Sequence, residues 1–386
     1  MANMKKTTSI SILALCASLM LSCSLDKMPV DRLTAEAVFE DSESFLLWMN
    51  ECYTMFEGQK VILTDADDFI DADPCEAVCG ERSPYTESWD WSMLHHINYL
   101  LEHVKECTDA DIAREATAEA RFFRGMFYFE MARKYGALPY ITNTIGMQNK
   151  ELMYANPIPQ DYVIDAALID LQDAADSLSA DLSPIPAKIN RWVALGYMAR
   201  AALYEGTLLK YQGEAKEDYE EYLQQAADAC REIIASGKFS LCSEPSDFFK
   251  TAKTDESIFE FIFSSSDKLP SYTYYLPAEK GGRLDYIPTP DLSRELLDPA
   301  RGGKRAQLIE AKGDGVYVIA QYAKQDGSSS IQSLRLAEQY LIRAEALLKQ
   351  SSPDISWNYH KSADTWFFSD SLFRAFPQKM FPIFFP

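Results

Sequence analysis

Apolar positions recur with a helical period most clearly over residues 109–135. Phe123, Met126, Phe127 and Met131 fall three and four apart there, and Phe122, Tyr128 and Phe129 carry apolar surface round the rest of the cylinder. A stripe this wide belongs to a helix buried on nearly all sides, not to one lying half in water. The ends are marked too. Thr108, with Asp111 three residues on, supplies an N-cap; Arg133 and Lys134 suit the negative end of the helix dipole; Gly136 suits a left-handed cap, and Pro139 stops continuation. At 1.5 Å per residue this helix is roughly 40 Å long, a spine for the chain.

The same period predicts a first helix over 35–56, with Phe39, Phe45, Leu46, Met49 and Tyr53 on its apolar side, and another over 91–106. Residues 161–178 place Ile164, Leu168, Leu171, Ala175 and Leu178 on one face, and residues 217–236 do so with Leu223, Ala226, Cys230 and Ile233. Pro184, Pro186 and Asn190-Arg191 between them form a linker and a helix entry. A last helix is predicted over 331–349. At 257–265 the period changes to two, Phe259, Phe261 and Phe263 alternating with Glu260 and Ile262, which reads as a strand.

Three stretches have no clear period. Residues 57–90 are irregular and acidic, 270–315 are rich in loops and tyrosines, and 351–386 hold many aromatic residues without helical or strand spacing. Against this stands an internal repeat. Ala118-x5-Arg124-Gly125 recurs as Ala194-x5-Arg200-Ala201 and Ala337-x5-Arg343-Ala344, with Tyr128, Tyr204 and Leu347 four beyond each arginine. Small residues at fixed helical positions let neighbouring helices approach closely. Uneven spacing between the copies excludes a regular 34-residue array.

Composition narrows the function more than the fold. A chain of 386 residues that is 47% hydrophobic and 25% charged is ordinary globular material. Its net charge of -21 would repel a phosphate backbone, so nucleic acid is excluded as a partner. Residues 1–22 read as a signal peptide: Lys5 and Lys6, then an apolar run from Ile10 to Leu21 too short to span a membrane, then Ser22-Cys23. A small residue before a cysteine that follows such a run resembles a bacterial lipobox, with Cys23 as the lipidated mature terminus; plain secretion after Ser22 is the alternative. Of the remaining cysteines, Cys52, Cys75, Cys79, Cys107, Cys230 and Cys242, the irregular spacing argues against zinc. A Cys75–Cys79 disulfide and buried free thiols both fit an exported chain.

The stretch Ala-Glu-Ala-Arg-Phe-Phe-Arg-Gly-x-x-Tyr-Phe from Ala118, followed by Arg-Lys-Tyr-Gly-x-Leu-Pro, resembles the signature helix of the SusD/RagB family. Further matches are Trp91, Leu94, Asn98, Leu101 and Glu102, the Ala-Cys-Arg-Glu-Ile-Ile run from Ala229, and Leu336-Ala-Glu-x-Tyr-Leu-Ile-Arg-Ala-Glu-Ala-Leu. The resemblance implies a mostly α fold of tetratricopeptide-like helix pairs, an α-α superhelix with long irregular insertions and little β. It implies an N-terminal helical region over 23–240 and a second region over 241–350. After residue 350 it stops, and 351–386 read as a divergent tail, as after an interrupted reading frame. The family implies a lipoprotein of the outer-membrane surface that captures oligosaccharides, or peptides, and is partnered by a SusC-like TonB-dependent transporter.

Enzyme motifs are missing from the sequence. The four histidines, His95, His96, His103 and His360, form no His-Glu-x-x-His pair, and no nucleophile elbow, phosphate loop or dinucleotide fingerprint occurs. No cofactor or metal site is indicated. A glycosidase needs only two carboxylates about 5 to 10 Å apart in space, which sequence does not locate. Binding calls for other groups: an indole or phenol face stacks on the C–H face of a sugar while polar edges hydrogen-bond. Tyr85 and Trp89, just outside the 91–106 helix, and Tyr274 and Arg283, in the loop-rich stretch, are the ligand-binding candidates. The competing reading is a tetratricopeptide-like scaffold that binds only protein.

Overall fold

A run of stacked helices makes up most of the computed structural model, which describes residues 39, 41–56, 69–71, 90–146, 149–182, 188–211, 218–243, 254–263, 286–313, 315–319 and 329–351. The first half comprises α1 (Ser42–Asn50), a 3-10 turn (Glu51–Phe56), β1 (Phe69–Asp71), α2 (Ser92–His103), α3 (Ala110–Tyr135) and the short α4 (Lys150–Met153). Next come α5 (Gln160–Ser177), α6 (Arg191–Tyr211), α7 (Tyr219–Ala235) and β2 (Ser257–Phe263). The rest is β3 (Tyr286–Pro288), α8 (Pro290–Leu297), β4 (Ile309–Gly313), β5 (Val316–Ile319), β6 (Ser329–Arg335) and α9 (Leu336–Ser351). Helix α3 packs on α5, α5 on α6, α6 on α7 and α7 on α9, while α1 and α2 cover the other side of α3.

The spine is buried as its wide apolar stripe requires, with Phe122, Phe123, Met126, Phe127, Tyr128 and Phe129 all in the core. Its cap differs by one residue from the expected Thr108. Asp109 accepts from the N–H groups of Asp111 and Ile112 at 2.9 and 3.1 Å, and Thr108 instead shares a hydroxyl–hydroxyl bond with Ser42. A carboxylate is the stronger acceptor for the exposed N–H groups and the positive end of the dipole. At the far end Gly136 takes φ +76 and donates to Ala132 O at 2.8 Å.

Two predicted helices are shorter than the sequence period suggests. The one expected over 35–56 begins at Ser42, where Asp41 accepts from Ser44 N, and tightens to 3-10 at Glu51; residues 35–38 lie outside the described residues. Thr54 Oγ1 donates to Glu51 O at 2.6 Å, a local bond that competes with the α-helical pattern. The one expected over 331–349 begins only at Leu336, because residues 329–335 form β6 and pair antiparallel with β2, Phe261 opposite Ile331. The expected loops after 286 also contain more structure. Thr289 caps α8 with Pro290 in its first turn, and β4 and β5 pair antiparallel, with Gly313 and Gly315 at φ +115 and +77 between them.

All three copies of the repeat fall on helices of the stack: α3, α6 and α9. A Cβ on Gly125 would lie 2.8 Å from Ala167 O, so α3 and α5 meet backbone to side. Gly206 does the same between α6 and α7, where a Cβ would lie 3.0 Å from Leu223 and from Tyr219 O. Two of the three repeated arginines bridge helices of the stack. Arg124 clasps the buried Asp170 on α5 with Nε and Nη2 at 2.6 and 2.8 Å, and Arg200 clasps Glu338 on α9 at 2.6 and 2.8 Å. An aromatic knot of Phe56, Phe122, Phe123, Tyr197 and Phe259 ties the 3-10 turn and β2 onto α3 and α6. Cys52, Cys107, Cys230 and Cys242 are free thiols; Cys75 and Cys79 lie outside the described residues.

Two substitutions test these seams by denaturant unfolding. Gly125→Ala should cost about 1–3 kcal/mol, because the added methyl meets backbone that cannot swing aside. Asp170→Asn should cost about 3–5 kcal/mol, since it leaves the Arg124 cation buried without its anion.

Candidate ligand-binding surface

The segment that follows α3 is held in place by side chains from two helices. The Tyr128 hydroxyl donates to Ile141 O at 2.8 Å and accepts from Ile141 N at 2.6 Å. From α2, Asn98 Nδ2 donates to Ile141 O and Asn143 O at 3.1 and 3.4 Å. One turn on, Glu102 accepts from Thr144 N and Thr144 Oγ1 at 2.8 and 2.6 Å. A bridge between Leu138 and Ile158 closes the other edge. These contacts explain why Asn98 and Glu102 stand four apart on α2 and why a tyrosine is needed at 128. Burial works against the ionised Glu102, yet the two bonds from Thr144 outweigh it and hold its carboxyl below the ordinary range.

At the start of α2 the chain direction is fixed just where the first candidates end. Asp90 accepts from Ser92 N at 2.9 Å, and its carboxyl is held low by the Ser92 bonds. Trp91 packs against the core: its ring lies 5.6 Å from Phe127 and 6.5 Å from Tyr128. Tyr85, Trp89, Tyr274 and Arg283 lie outside the described residues, as does Cys23. The strands at the roots of the two candidate-bearing segments are described. The 72–89 segment leaves from Asp71 and the 264–285 segment arrives at Tyr286, and these two residues sit opposite each other in the antiparallel β1–β3 ladder. Long-range pairing therefore brings to one point two roots that stand more than 200 residues apart in sequence.

Two further surfaces were not picked out from the sequence. One is aromatic. Trp48 stacks on His96 at 4.1 Å and 3°, with Trp48 Nε1 donating to His96 O and His96 Nε2 bonding Trp48 O. Beside them Tyr99 meets Trp48, His103 and Phe39 at 5.3, 4.6 and 6.0 Å. The i, i+4, i+8 spacing of His95, Tyr99 and His103 was its only sequence signal. Burial lowers the pKa of His96 more than its bond to Trp48 raises it. The other is a groove of about 930 Å³ along α7, whose lining includes Gln172, Met198, Gln225, Asp228 and Glu232. No aromatic ring is among its described lining residues, so it lacks the flat face that sugar stacking uses.

Among the described residues, no group of three or more His, Cys, Asp or Glu side chains is placed to hold a metal ion, and no helix is long and apolar enough to cross a membrane.

Residues 30–203 match the SusD-like family described as starch-binding associating with outer membrane. No curated protein matches the chain. Among solved structures, a SusD-like protein from Bacteroides fragilis is similar at TM-score 0.65 and 17% identity, with 84% of this chain and 78% of that one covered. A SusD superfamily protein from Parabacteroides distasonis gives TM-score 0.64 and 19% identity, with 83% and 77% covered. A SusD-like carbohydrate binding protein from Bacteroides vulgatus gives 0.63 and 15%, with 87% and 78% covered. At these identities the likeness establishes the fold.

Glu102 gives this surface a pH signature. A carboxyl depressed by folding supplies stability that is present above its unfolded pKa and lost as pH falls through the folded value. The thermal midpoint advantage of the wild-type protein over Glu102→Gln should therefore be full at about pH 6 and shrink below about pH 4. Melting curves across that range check it.

Proposed function

We propose that this chain, whose residues 30–203 match the SusD-like family, belongs to that family, captures oligosaccharides at the outer-membrane surface and passes them to a SusC-like TonB-dependent transporter. The observation that carries the reading is the match of residues 30–203 to a family described as starch-binding and associated with the outer membrane. The carbohydrate-binding neighbour from Bacteroides vulgatus supports the same ligand class. In this reading residues 1–22 are removed and Cys23 carries the lipid that holds the protein to the membrane. Capture breaks no bond and calls for no catalyst. Trp89, Tyr85 and Tyr274 offer ring faces to the sugar, and Arg283 donates to its hydroxyls. The Asp71–Tyr286 pairing supports the reading to this extent: one end of each candidate-bearing segment is anchored in the same two-stranded ladder.

The groove along α7 favours a second reading, capture of a peptide or protein by the helix scaffold. Its carboxamides and carboxylates suit a peptide backbone and basic side chains better than a sugar face.

Isothermal titration of the soluble chain beginning after Cys23, against a panel of plant, host and microbial glycans, separates the two. Saturable binding of one glycan class is expected, weakened about tenfold or more in Trp89→Ala through loss of a stacking contact. A folded protein that binds no glycan in the panel overturns the sugar reading in favour of the scaffold.

A further inference from the structure

The chain leaves the stack beside the groove that runs along α7. Helix α9 closes at Ser351, and Gln350, the residue before it, is part of the groove's lining. Gln350 Nε2 is buried and has no hydrogen-bond partner among the described residues. A donor left bare in this way carries a desolvation cost, which an occupant with a carbonyl oxygen at that point would remove.

The rest of the lining sets the chemistry of such an occupant. Leu195 and Met198 on α6 contribute apolar surface, and Gln172, Gln224 and Gln225 set carboxamides beside them. A carboxamide both donates and accepts, which matches the N–H and C=O groups of extended backbone. Two of the groove's carboxylates are already taken: Asp228 pairs with Arg231 at 2.9 Å and Glu232 with Arg191 at 2.5 Å. Glu220 and Glu221, in the first turn of α7, make no ion pair among the described residues. The groove therefore fits an extended segment with apolar side chains and one or two cations.

This chain carries a segment of that kind beyond α9. Residues 371–386 include Arg374 and Lys379 and no Asp or Glu, with Leu372, Phe373, Phe376, Met380 and Phe381 as apolar neighbours of the two cations. Pro377 and Pro382 disfavour a helix and leave backbone groups available for the carboxamides. The run from Ser352 to Asp370 reaches at most about 60 Å, against roughly 25 Å for the length of α7, so the tether does not limit access. Building on the peptide reading of this groove, we propose that residues 371–386 lie in it, with Arg374 and Lys379 on Glu220 and Glu221, and close it to other peptides. Tethering holds the segment at an effective concentration of about a millimolar, which puts any free peptide of equal intrinsic affinity at a disadvantage.

Titration of a synthetic peptide of residues 371–386 into the full chain beginning after Cys23, and into its Arg374→Glu/Lys379→Glu variant, tests the assignment. The variant no longer holds its own tail in the groove, so the peptide should bind it at least about tenfold more tightly than it binds the wild type. Adding Glu220→Lys and Glu221→Lys to the variant should remove that binding. Zero-length carbodiimide coupling of the wild-type chain should join Lys379 to Glu220 or Glu221 within one molecule. Equal affinity for wild type and variant would overturn the proposal while leaving the groove a peptide site. Binding that survives the two lysine substitutions would place the peptide elsewhere and overturn it as well. No binding to either chain would overturn both the proposal and the peptide reading of the groove.

Discussion

Helix α3 comes so close to α5 at Gly125 that a single methyl there would press on the carbonyl of Ala167. That approach fixes the distance between the first two long helices and buries both facing stripes. It also sets what must happen beside it: Arg124, next in sequence, is drawn into the seam and has to find a buried anion, which Asp170 provides through two short bonds. The same solution recurs along the stack. Gly206 lets α7 close on α6, and Arg200 reaches Glu338 on α9. Small residues for close contact and paired charges between helices thus recur along the stack, and at the α3–α5 seam they stand side by side.

The helix frame carries two anchors: the β1–β3 ladder, which pairs Phe69–Asp71 with Tyr286–Pro288, and the Asn98, Glu102 and Tyr128 contacts, which fix the backbone after α3. The carboxylates of the stack follow the same logic as its seams: Asp170 is paired with Arg124 and Glu338 with Arg200, while Glu119 and Glu115 share Lys188.

Local signals in the sequence determined the long helices. The apolar period over 109–135, the faces of 161–178 and 217–236, Gly136 as a stop and the placement of the repeat on helices all follow from spacing within a few turns, and each is found in the structure. Where two local signals competed, the nearer reading failed narrowly, as when Asp109 took the capping role expected of Thr108. Tertiary structure decided the rest. Residues 329–335 became a strand because β2 offered them a partner some 70 residues away, and backbone pairing outweighs a weak helical period. The Asp71–Tyr286 pairing, the stack of Trp48 on His96, and the lysine that Glu115 and Glu119 share have no local signature. They depend on which distant residues share a neighbourhood, and only the folded chain determines that.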